Sequence, residues 1–248
     1  RLYSGDRVVT SDEQSLRLQF ADKSELQELP NSVVVLDKLS HHEHTGMVDT
    51  RIRLNSGSVN TRVEKLKPDS RYEIKTPAAV TAVRGTAYRL SSTSQISRTM
   101  VTEGDVGVAA GGTEKIVPDG YGIVAEKDKP LPEPVKLLPP PVLGENQSQD
   151  KTMLKISWQK LEDAKYYRYQ LASDDKFNQL IVDRSTEDTS IEINDLKPGR
   201  YYLLVRGVDQ YQLEGLDTVS EFEINQAPAE KDNSWIVPVS VGVLILIL

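Results

Sequence analysis

The stretch YEIKTPAAVTAVRGTAYRL, residues 72–90, decides the fold of the first half of the chain. β-forming and polar residues alternate over residues 72–76, and the alternation resumes over residues 87–90. Between these two runs Pro77 interrupts strand pairing and Gly85 permits a tight bend that a side chain cannot enter cheaply. The stretch therefore predicts two strands joined by a connection of small, turn-forming residues.

The same alternation extends over residues 1–126. Short apolar-polar runs are separated by Gly, Asn, Asp and Ser, and helical spacing is almost absent, which predicts strands with one buried face each. Turn pairs recur at Gly5-Asp6, Ser56-Gly57 and Gly104-Asp105. Their recurrence favours a β-roll or solenoid-like stack of short strands, although the pattern equally allows a sandwich.

The order of residues in the opening stretch resembles the signature of the FecR domain, a bacterial cell-envelope module. The residues that carry the resemblance are Thr76, Pro77, Val83, Arg84, Gly85, Thr86 and Tyr88. The resemblance covers about the first half of the chain and implies a β-rich stack. Arg84 has two interpretations: a guanidinium that recognises an anion, or a structural arginine that binds turn carbonyls beside Gly85.

A proline-rich segment, residues 127–150, follows this first unit. Its six prolines lie at positions 130, 132, 134, 139, 140 and 141. Proline lacks a backbone donor and favours polyproline II, so we expect an extended, semi-rigid linker that buries little and separates two folding units.

Residues 151–226 have the pattern of a second β domain. About seven short strands with turn signals between them are typical of an immunoglobulin-like sandwich. Trp158 on an early strand and the sequence LKPGRYY at residues 196–202 resemble the fibronectin type III pattern. We expect Trp158 and either Tyr201 or Tyr202 to pack in the core of this domain.

The end of the sequence is apolar. Residues 235–248 read WIVPVSVGVLILIL, without a charge, and we interpret them as the start of a transmembrane helix, although a full span needs about 20 residues. The polar residues 227–234 are then a juxtamembrane spacer, with Trp235 as an interfacial anchor. The alternative is a hydrophobic tail packed on one of the domains.

The charge of the chain argues against nucleic-acid binding. Thirty Lys and Arg residues face 37 Asp and Glu residues, a net charge of −7, so no global basic field attracts a phosphate backbone. Cysteine is absent, which excludes disulfides, thiolate metal sites and cysteine nucleophiles. No carboxylate pair stands out as acid and base, and no glycine-rich phosphate loop precedes a helix. The sequence therefore predicts no catalytic residues and no cofactor.

Three histidines lie close together, at His41, His42 and His44. Imidazoles and a nearby carboxylate are natural zinc and copper ligands, so they are weak candidates for a metal site. Adjacent residues on a strand point to opposite faces, however, so at most His42 and His44 share one. A polar loop explains the cluster equally well, and we assign no metal.

These features predict a non-catalytic bacterial cell-envelope protein that acts as a scaffold, binding protein or sensor. We expect its domains in the periplasm, anchored to the inner membrane, with an envelope protein or a cell-wall polymer as partner. The resemblance leaves open a second class, a transmembrane signal transducer of the FecR type that regulates transcription through a region outside this sequence. A third class is an envelope hydrolase with its catalytic domain elsewhere. Some FecR-domain proteins also carry a peptidoglycan-binding LysM module, which implies peptidoglycan as a candidate polymer.

Overall fold

The computed structural model describes residues 1–12, 14–42, 44–83, 85–144, 148–150 and 152–224. Within these ranges all regular structure is β-strand, which confirms the prediction of an all-β protein. No helix of membrane-spanning length and hydrophobicity occurs in this described part of the chain. The predicted spacer at 227–234 and membrane segment at 235–248 lie outside the described residues.

The first unit is built from one curled sheet of thirteen strands. The strands are β1 (Arg7–Val9), β2 (Leu16–Gln19), β3 (Glu25–Glu28), β4 (Val33–His42), β5 (Met47–Val63), β6 (Arg71–Lys75), β7 (Val80–Val83), β8 (Thr86–Ser92), β9 (Ile96–Glu103), β10 (Val106–Ala110), β11 (Thr113–Val117), β12 (Tyr121–Glu126) and β13 (Val135–Lys136). The curl produces two layers. The first layer has the order β1-β4-β5-β6-β7-β10-β11, and the second has the order β2-β3-β5-β8-β9-β12-β13.

Strand β5 belongs to both layers. Its first half pairs with β4 and, in parallel, with β6, whereas its second half pairs with β3 and β8. The change of partners occurs at Gly57, whose φ is +94°. A Cβ at this position would lie 2.5 Å from the Cα of Ser32. Only glycine therefore fits the bend that turns one sheet into two layers.

Alternate residues of both layers point into one shared core. Two tyrosines connect the layers through this core: the hydroxyl of Tyr72 lies 3.0 Å from Oγ1 of Thr61, and that of Tyr88 lies 3.3 Å from Oγ1 of Thr81. Tyr72 and Thr81 belong to the first layer, and the other two residues belong to the second. Each ring is buried while its polar end is satisfied, so the pairs fix how the layers face each other.

The connection between the two predicted strands of residues 72–90 contains a strand of its own. β7 pairs with β6 on one side and with β10 on the other. Thr81 and Val83 are buried and Ala82 is exposed. Inward and outward positions therefore alternate along β7 as in the other strands, but with small side chains. The sequence prediction missed this strand because Ala and Thr give a weak hydrophobic contrast.

The proline-rich segment does not behave as the expected spacer that buries little. Leu131 is 7% exposed and packs in the core of the first unit, and Leu137 is 4% exposed. The backbone amide of Leu137 donates to the carbonyl of Gly120, and that of Leu216 donates to the carbonyl of Leu138. The expectation is wrong because the leucines between the prolines have apolar surface to bury.

The second unit has seven strands in two sheets, as the sequence predicts for an immunoglobulin-like sandwich. The strands are β14 (Ser148–Asp150), β15 (Met153–Ser157), β16 (Tyr166–Ala172), β17 (Leu180–Thr186), β18 (Ser190–Ile193), β19 (Gly199–Val208) and β20 (Thr218–Ile224). Their orders are β14-β15-β18 and β17-β16-β19-β20. Trp158 packs on Tyr167 at 5.3 Å between ring centroids. Tyr201 is the core tyrosine, and its hydroxyl donates to the carbonyl of Lys197 at 2.7 Å, the geometry of a tyrosine corner.

We predict that Gly57→Ala destabilises the first unit far more than Gly112→Ala. Both glycines have positive φ, but a Cβ at Gly112 would meet nothing within 4 Å. Strain alone should cost about 1 kcal/mol at Gly112, whereas the clash with Ser32 should raise the cost at Gly57 to about 3 kcal/mol or more. Urea unfolding of the two variants measures the difference, and equal midpoints would contradict the role given to the bend.

One carboxylate faces the core of the first unit. Glu28 follows Leu26 on the inward side of β3, is 0% exposed, and neither of its oxygens has a hydrogen-bond partner among the described residues. Burial raises its pKa from 4.5 to about 7, and the nearby backbone amide of Val34 counters only part of this effect. The folded state therefore holds this proton more tightly than the unfolded state does.

We predict that Glu28→Gln removes a pH dependence of stability between about pH 4.5 and pH 7. In the parent, Glu28 does not lower the free energy of unfolding below pH 4.5, because its carboxyl group is then protonated in both the folded and the unfolded state. As the pH rises from 4.5 to about 7, Glu28 destabilises the folded state increasingly. The variant should match the parent near pH 4.5 and be more stable at pH 8, by up to about 3 kcal/mol. Thermal unfolding at both pH values tests this, with the exposed Glu114→Gln as a control that leaves the profile unchanged.

Candidate functional site at the junction of the two units

The described residues of the FecR-like motif close turns or pack in the core of the first unit. Oγ1 of Thr76 accepts the backbone amide of Ala79 at 2.9 Å and closes the turn between β6 and β7. Gly85 has a φ of +91°, and a Cβ there would lie 3.2 Å from the Cα of Lys65. Tyr88 is the core tyrosine described above. The members that complete the set are Pro77, which is exposed, and Val83 and Thr86, which are buried. Arg84 lies outside the described residues, so its two interpretations both stay predictions.

The histidines do not converge. His41 and His42 are adjacent on β4, both are exposed, and His44 lies in the turn that follows. In the register of the sheet His41 faces the buried Val48, whereas His42 faces Met47 on the other side. Among the described residues no group of three or more His, Cys, Asp or Glu could hold a metal ion.

The residues that the structure does bring together lie between the two units. The outward side of the second layer packs against the outward side of the sheet β17-β16-β19-β20. An apolar cluster forms one part of this junction: Met100 and Leu137 from the first unit and the linker contact Leu213, with Val124 and Leu216 beside them. Gly122 gives Leu213 room, since a Cβ there would lie 3.2 Å from its methyl groups.

Arg89 is the central polar residue of the junction. It lies on β8 between Tyr88 and Leu90, points outward, and its side chain is only 7% exposed. Its guanidinium donates to Oδ1 of Asp217 at 3.0 Å and to the carbonyl of Gly215 at 2.5 Å. Both acceptors belong to the loop between β19 and β20. A buried guanidinium of the first unit is thus neutralised by the second unit.

Glu214 collects the charges of three arginines. Arg168 donates to its Oε1 at 2.6 Å, Arg206 donates to its Oε2, and Nη1 of Arg89 lies 3.8 Å from the same Oε2. Burial by itself would raise the pKa of Glu214, but the positive charge of Arg206, followed by those of Arg168 and Arg89, outweighs it and holds the pKa well below its usual range. Glu214 is therefore ionised at neutral pH.

The opposite charges around Glu214 are also paired. Arg168 contacts Asp183 through Nε and Nη2 at 2.8 and 2.7 Å, and Nε of Arg206 lies 2.8 Å from Oδ1 of Asp217. Three guanidinium groups thus meet three carboxylates at the junction. We call this set, Arg89, Arg168, Arg206, Asp183, Glu214 and Asp217, the arginine junction.

Further along, the second layer contacts the loop between β16 and β17. The amide of Gln27 donates to the carbonyl of Phe177 at 2.6 Å. Arg17 donates to the carbonyl of Lys176 at 2.7 Å and to the side chain of Asn178 at 2.5 Å. These contacts lie at β2 and β3, away from the apolar cluster at β9 and β12. The junction therefore extends across the whole second layer, which restricts rocking of one unit on the other.

Most of the first unit matches a known protein family. Residues 6–107 match the family model described as FecR protein. This part of the chain is therefore similar to the FecR family. No curated protein is similar enough to the chain to match it.

Several solved structures are similar to the chain or to part of it. A structure described as a "putative anti-sigma factor" from Parabacteroides distasonis has 11% identity and a TM-score of 0.44, covering 53% of this chain and 58% of that one. The chain thus spans little more than half the length of this relative. A structure named FN3tt mut has 16% identity and a TM-score of 0.30, covering 37% and 100%. A two-domain fibronectin type III segment of chicken tenascin has 12% identity and a TM-score of 0.31, covering 68% and 93%.

Sequence reasoning missed the arginine junction. Arg89 and Asp217 are 128 residues apart, and nothing local connects them. One signal was present: Arg89 follows Tyr88 and precedes Leu90, so a charged residue stands at the outward position of a strand flanked by two buried ones. Such a position is ordinarily solvated, and only the docking of the second unit makes it buried.

We predict that Arg89→Gln uncouples the two units. Removing one partner of a buried ion pair leaves the other charges uncompensated, at a cost of about 3–5 kcal/mol. Differential scanning calorimetry should show one coupled transition for the parent and two separated transitions for the variant. Arg62→Gln is the matched control on the same face, because its pair with Glu103 is 60% and 61% exposed and should contribute little. A coupled transition unchanged in Arg89→Gln would contradict the role of the arginine.

Proposed function

We propose that this chain is a non-catalytic bacterial cell-envelope protein that binds a partner as a sensor or scaffold. Its FecR domain and its fibronectin type III-like unit would be displayed in the periplasm from a membrane anchor at residues 235–248. The partner would be an envelope protein or a cell-wall polymer such as peptidoglycan.

The observation that carries the proposal is the arginine junction. Independent modules on a flexible linker leave polar surface between them, whereas here a buried guanidinium of the first unit is bound by the loop after β19. A protein that transmits or withstands a load needs such a rigid connection, because movement of one unit then displaces the other. The paired charges leave no free nucleophile or acid-base couple in the junction, which favours binding over catalysis.

A second candidate is a transmembrane signal transducer of the FecR type that regulates transcription through a region outside this sequence. The match of residues 6–107 to the FecR family favours it. In this case the arginine junction would relay a change at the FecR domain to the membrane-proximal unit. The two candidates share their location and differ in their output.

Location is tested first, in the bacterium that carries the gene. The protein should fractionate with membranes, resist carbonate extraction and become accessible to protease only when the outer membrane is opened. Protection from protease in spheroplasts would place the units in the cytoplasm and overturn the proposal. Recovery in the soluble fraction would overturn the anchor.

Output is tested by comparing a gene deletion with chromosomal Arg89→Gln and its control Arg62→Gln. For a transducer, the deletion and Arg89→Gln should change the same set of transcripts, measured by RNA sequencing, while the control matches the parent. For a scaffold or binding protein, both should raise sensitivity to detergent without a shared transcriptional response. Release of soluble wall fragments by the purified chain would instead establish a hydrolase and contradict both candidates.

A further inference from the structure

The outer face of the first layer differs in charge from the rest of the chain. On strands β1, β4, β5 and β6 the side chains of this face include six cations and three carboxylates, a surplus of three positive charges in a chain whose net charge is −7. We call this surface the basic face; its charged members are Arg7, Asp37, Lys38, Asp49, Arg51, Arg53, Arg71, Glu73 and Lys75. It lies on the side of the first unit opposite the arginine junction.

Three of these cations form a row across the strands. In the register of the sheet Arg7 is opposite Val35, Val35 is opposite Arg53, and Arg53 is opposite Lys75. Adjacent strands lie about 4.8 Å apart, so the row extends over about 14 Å. Beyond Lys75 the line of opposed residues continues through Val80 and Ala109 and ends at the carboxylate of Glu114, so the positive charge of the row is confined to β1, β5 and β6.

Two pairs in the basic face place like charges directly opposite each other. Arg53 faces Lys75, and Lys38 faces Arg51. Like charges in opposed positions destabilise a sheet. The second pair is relieved by Asp49, which lies 2.5 Å from Nζ of Lys38 and 2.9 Å from Nε of Arg51.

In the first pair, only Arg53 contacts a carboxylate. Arg53 contacts Asp37, with Nε 3.1 Å from Oδ2, but Lys75 forms no ion pair with any residue that the structure describes, and neither does Arg7. Lys75 and Arg7 are exposed, and the side chain of Arg53 is 47% exposed. The row therefore presents accessible positive charge at a spacing set by the sheet.

We propose that the basic face binds a linear anionic glycan that carries phosphate or carboxylate groups and lies across the strands along the Arg7–Arg53–Lys75 row. An extended polyanion matches a row of cations on a flat surface and offsets the repulsion between Arg53 and Lys75. A protein partner would need an extended apolar centre to its interface, whereas the valines of this face, Val9, Val33, Val35 and Val80, stand among charged residues. That the polymer belongs to the envelope rests on the proposed function.

The test uses the purified full chain in mild detergent and four defined probes. Polygalacturonate presents carboxylates, wall teichoic acid presents phosphates, dextran is the neutral glycan, and a 20-base-pair DNA duplex is the non-glycan polyanion. Binding is measured by fluorescence anisotropy of labelled probes at 50 and 200 mM NaCl. We expect one or both anionic glycans to bind, dextran not to bind, and affinity to fall about 20- to 40-fold between the two salt concentrations for roughly three neutralised charges.

The variant Arg53→Gln/Lys75→Gln should lose binding at least tenfold. Its thermal midpoint should change little, because removal of the like-charge pair offsets loss of the half-exposed Arg53–Asp37 ion pair. The matched control is Lys155→Gln/Arg200→Gln, two exposed cations on strands of the second unit, which should bind like the parent. Binding of polygalacturonate would identify the carboxylate as the recognised group, and binding of teichoic acid would identify the phosphate.

Three results would overturn the inference: no binding of either anionic glycan, equal binding by the double variant and the parent, or binding of the DNA duplex as tight as that of the glycans. The last result would mean general attraction of polyanions. Because binding is measured with purified protein, its outcome is separate from the fractionation test of the proposed function. A chain that binds the glycan but is found in the cytoplasm would refute the location and leave the basic face intact.

Discussion

Strand β5 constrains the whole first unit because it is hydrogen-bonded in both layers. Its first half sets the register of β4 and β6, and its second half sets that of β3 and β8. The bend at Gly57 therefore decides which residues of the sheet meet in the shared core. A backbone that could not reach positive φ there would leave one layer without its partner.

The bend also decides the two outer faces. Once the sheet is folded back on itself, each layer has an inward side buried in the core and an outward side that the core does not cover. On the second layer the outward side carries Arg89 and Met100 and is covered by the second unit. On the first layer it carries the row of Arg7, Arg53 and Lys75. One fold thus supplies a surface for internal docking and, on the proposal above, a surface for an external polymer.

The arginine junction contributes orientation as much as stability. Burying a charge is costly, and the attraction of its partner repays the cost only with good geometry. Here Glu214 receives two arginines directly, and Asp217 receives Arg89 and Arg206. Apolar residues alone would tolerate several docking angles, whereas the ion pairs of this set depend on the positions of named donor and acceptor atoms. The charges thus contribute to the specificity of docking, and the apolar cluster around Leu213 contributes buried apolar surface.

The proline-rich segment shows how composition can mislead. Prolines predict an extended chain, and β13 and β14 are the regular elements among the described residues of the segment 127–150. The leucines between the prolines nevertheless pack, because Leu131 enters the core of the first unit and Leu137 joins the apolar cluster of the junction. A proline-rich segment can therefore be extended and still pack closely against a domain, provided that apolar residues lie between its prolines.

The sequence by itself determined the β character of both units, the bend at Gly85, and the core positions of Trp158 and of one tyrosine at 201 or 202. These follow from local alternation and from the conformational freedom of glycine, which act over a few residues. It did not determine β7, the burial of the linker or the partners of Arg89. Those depend on which surfaces meet, and a charged residue on a strand has the same local pattern whether it faces water or a carboxylate from a residue 128 positions away. Only the tertiary structure decides between these two, because burial and ion pairing are properties of contacts between distant segments.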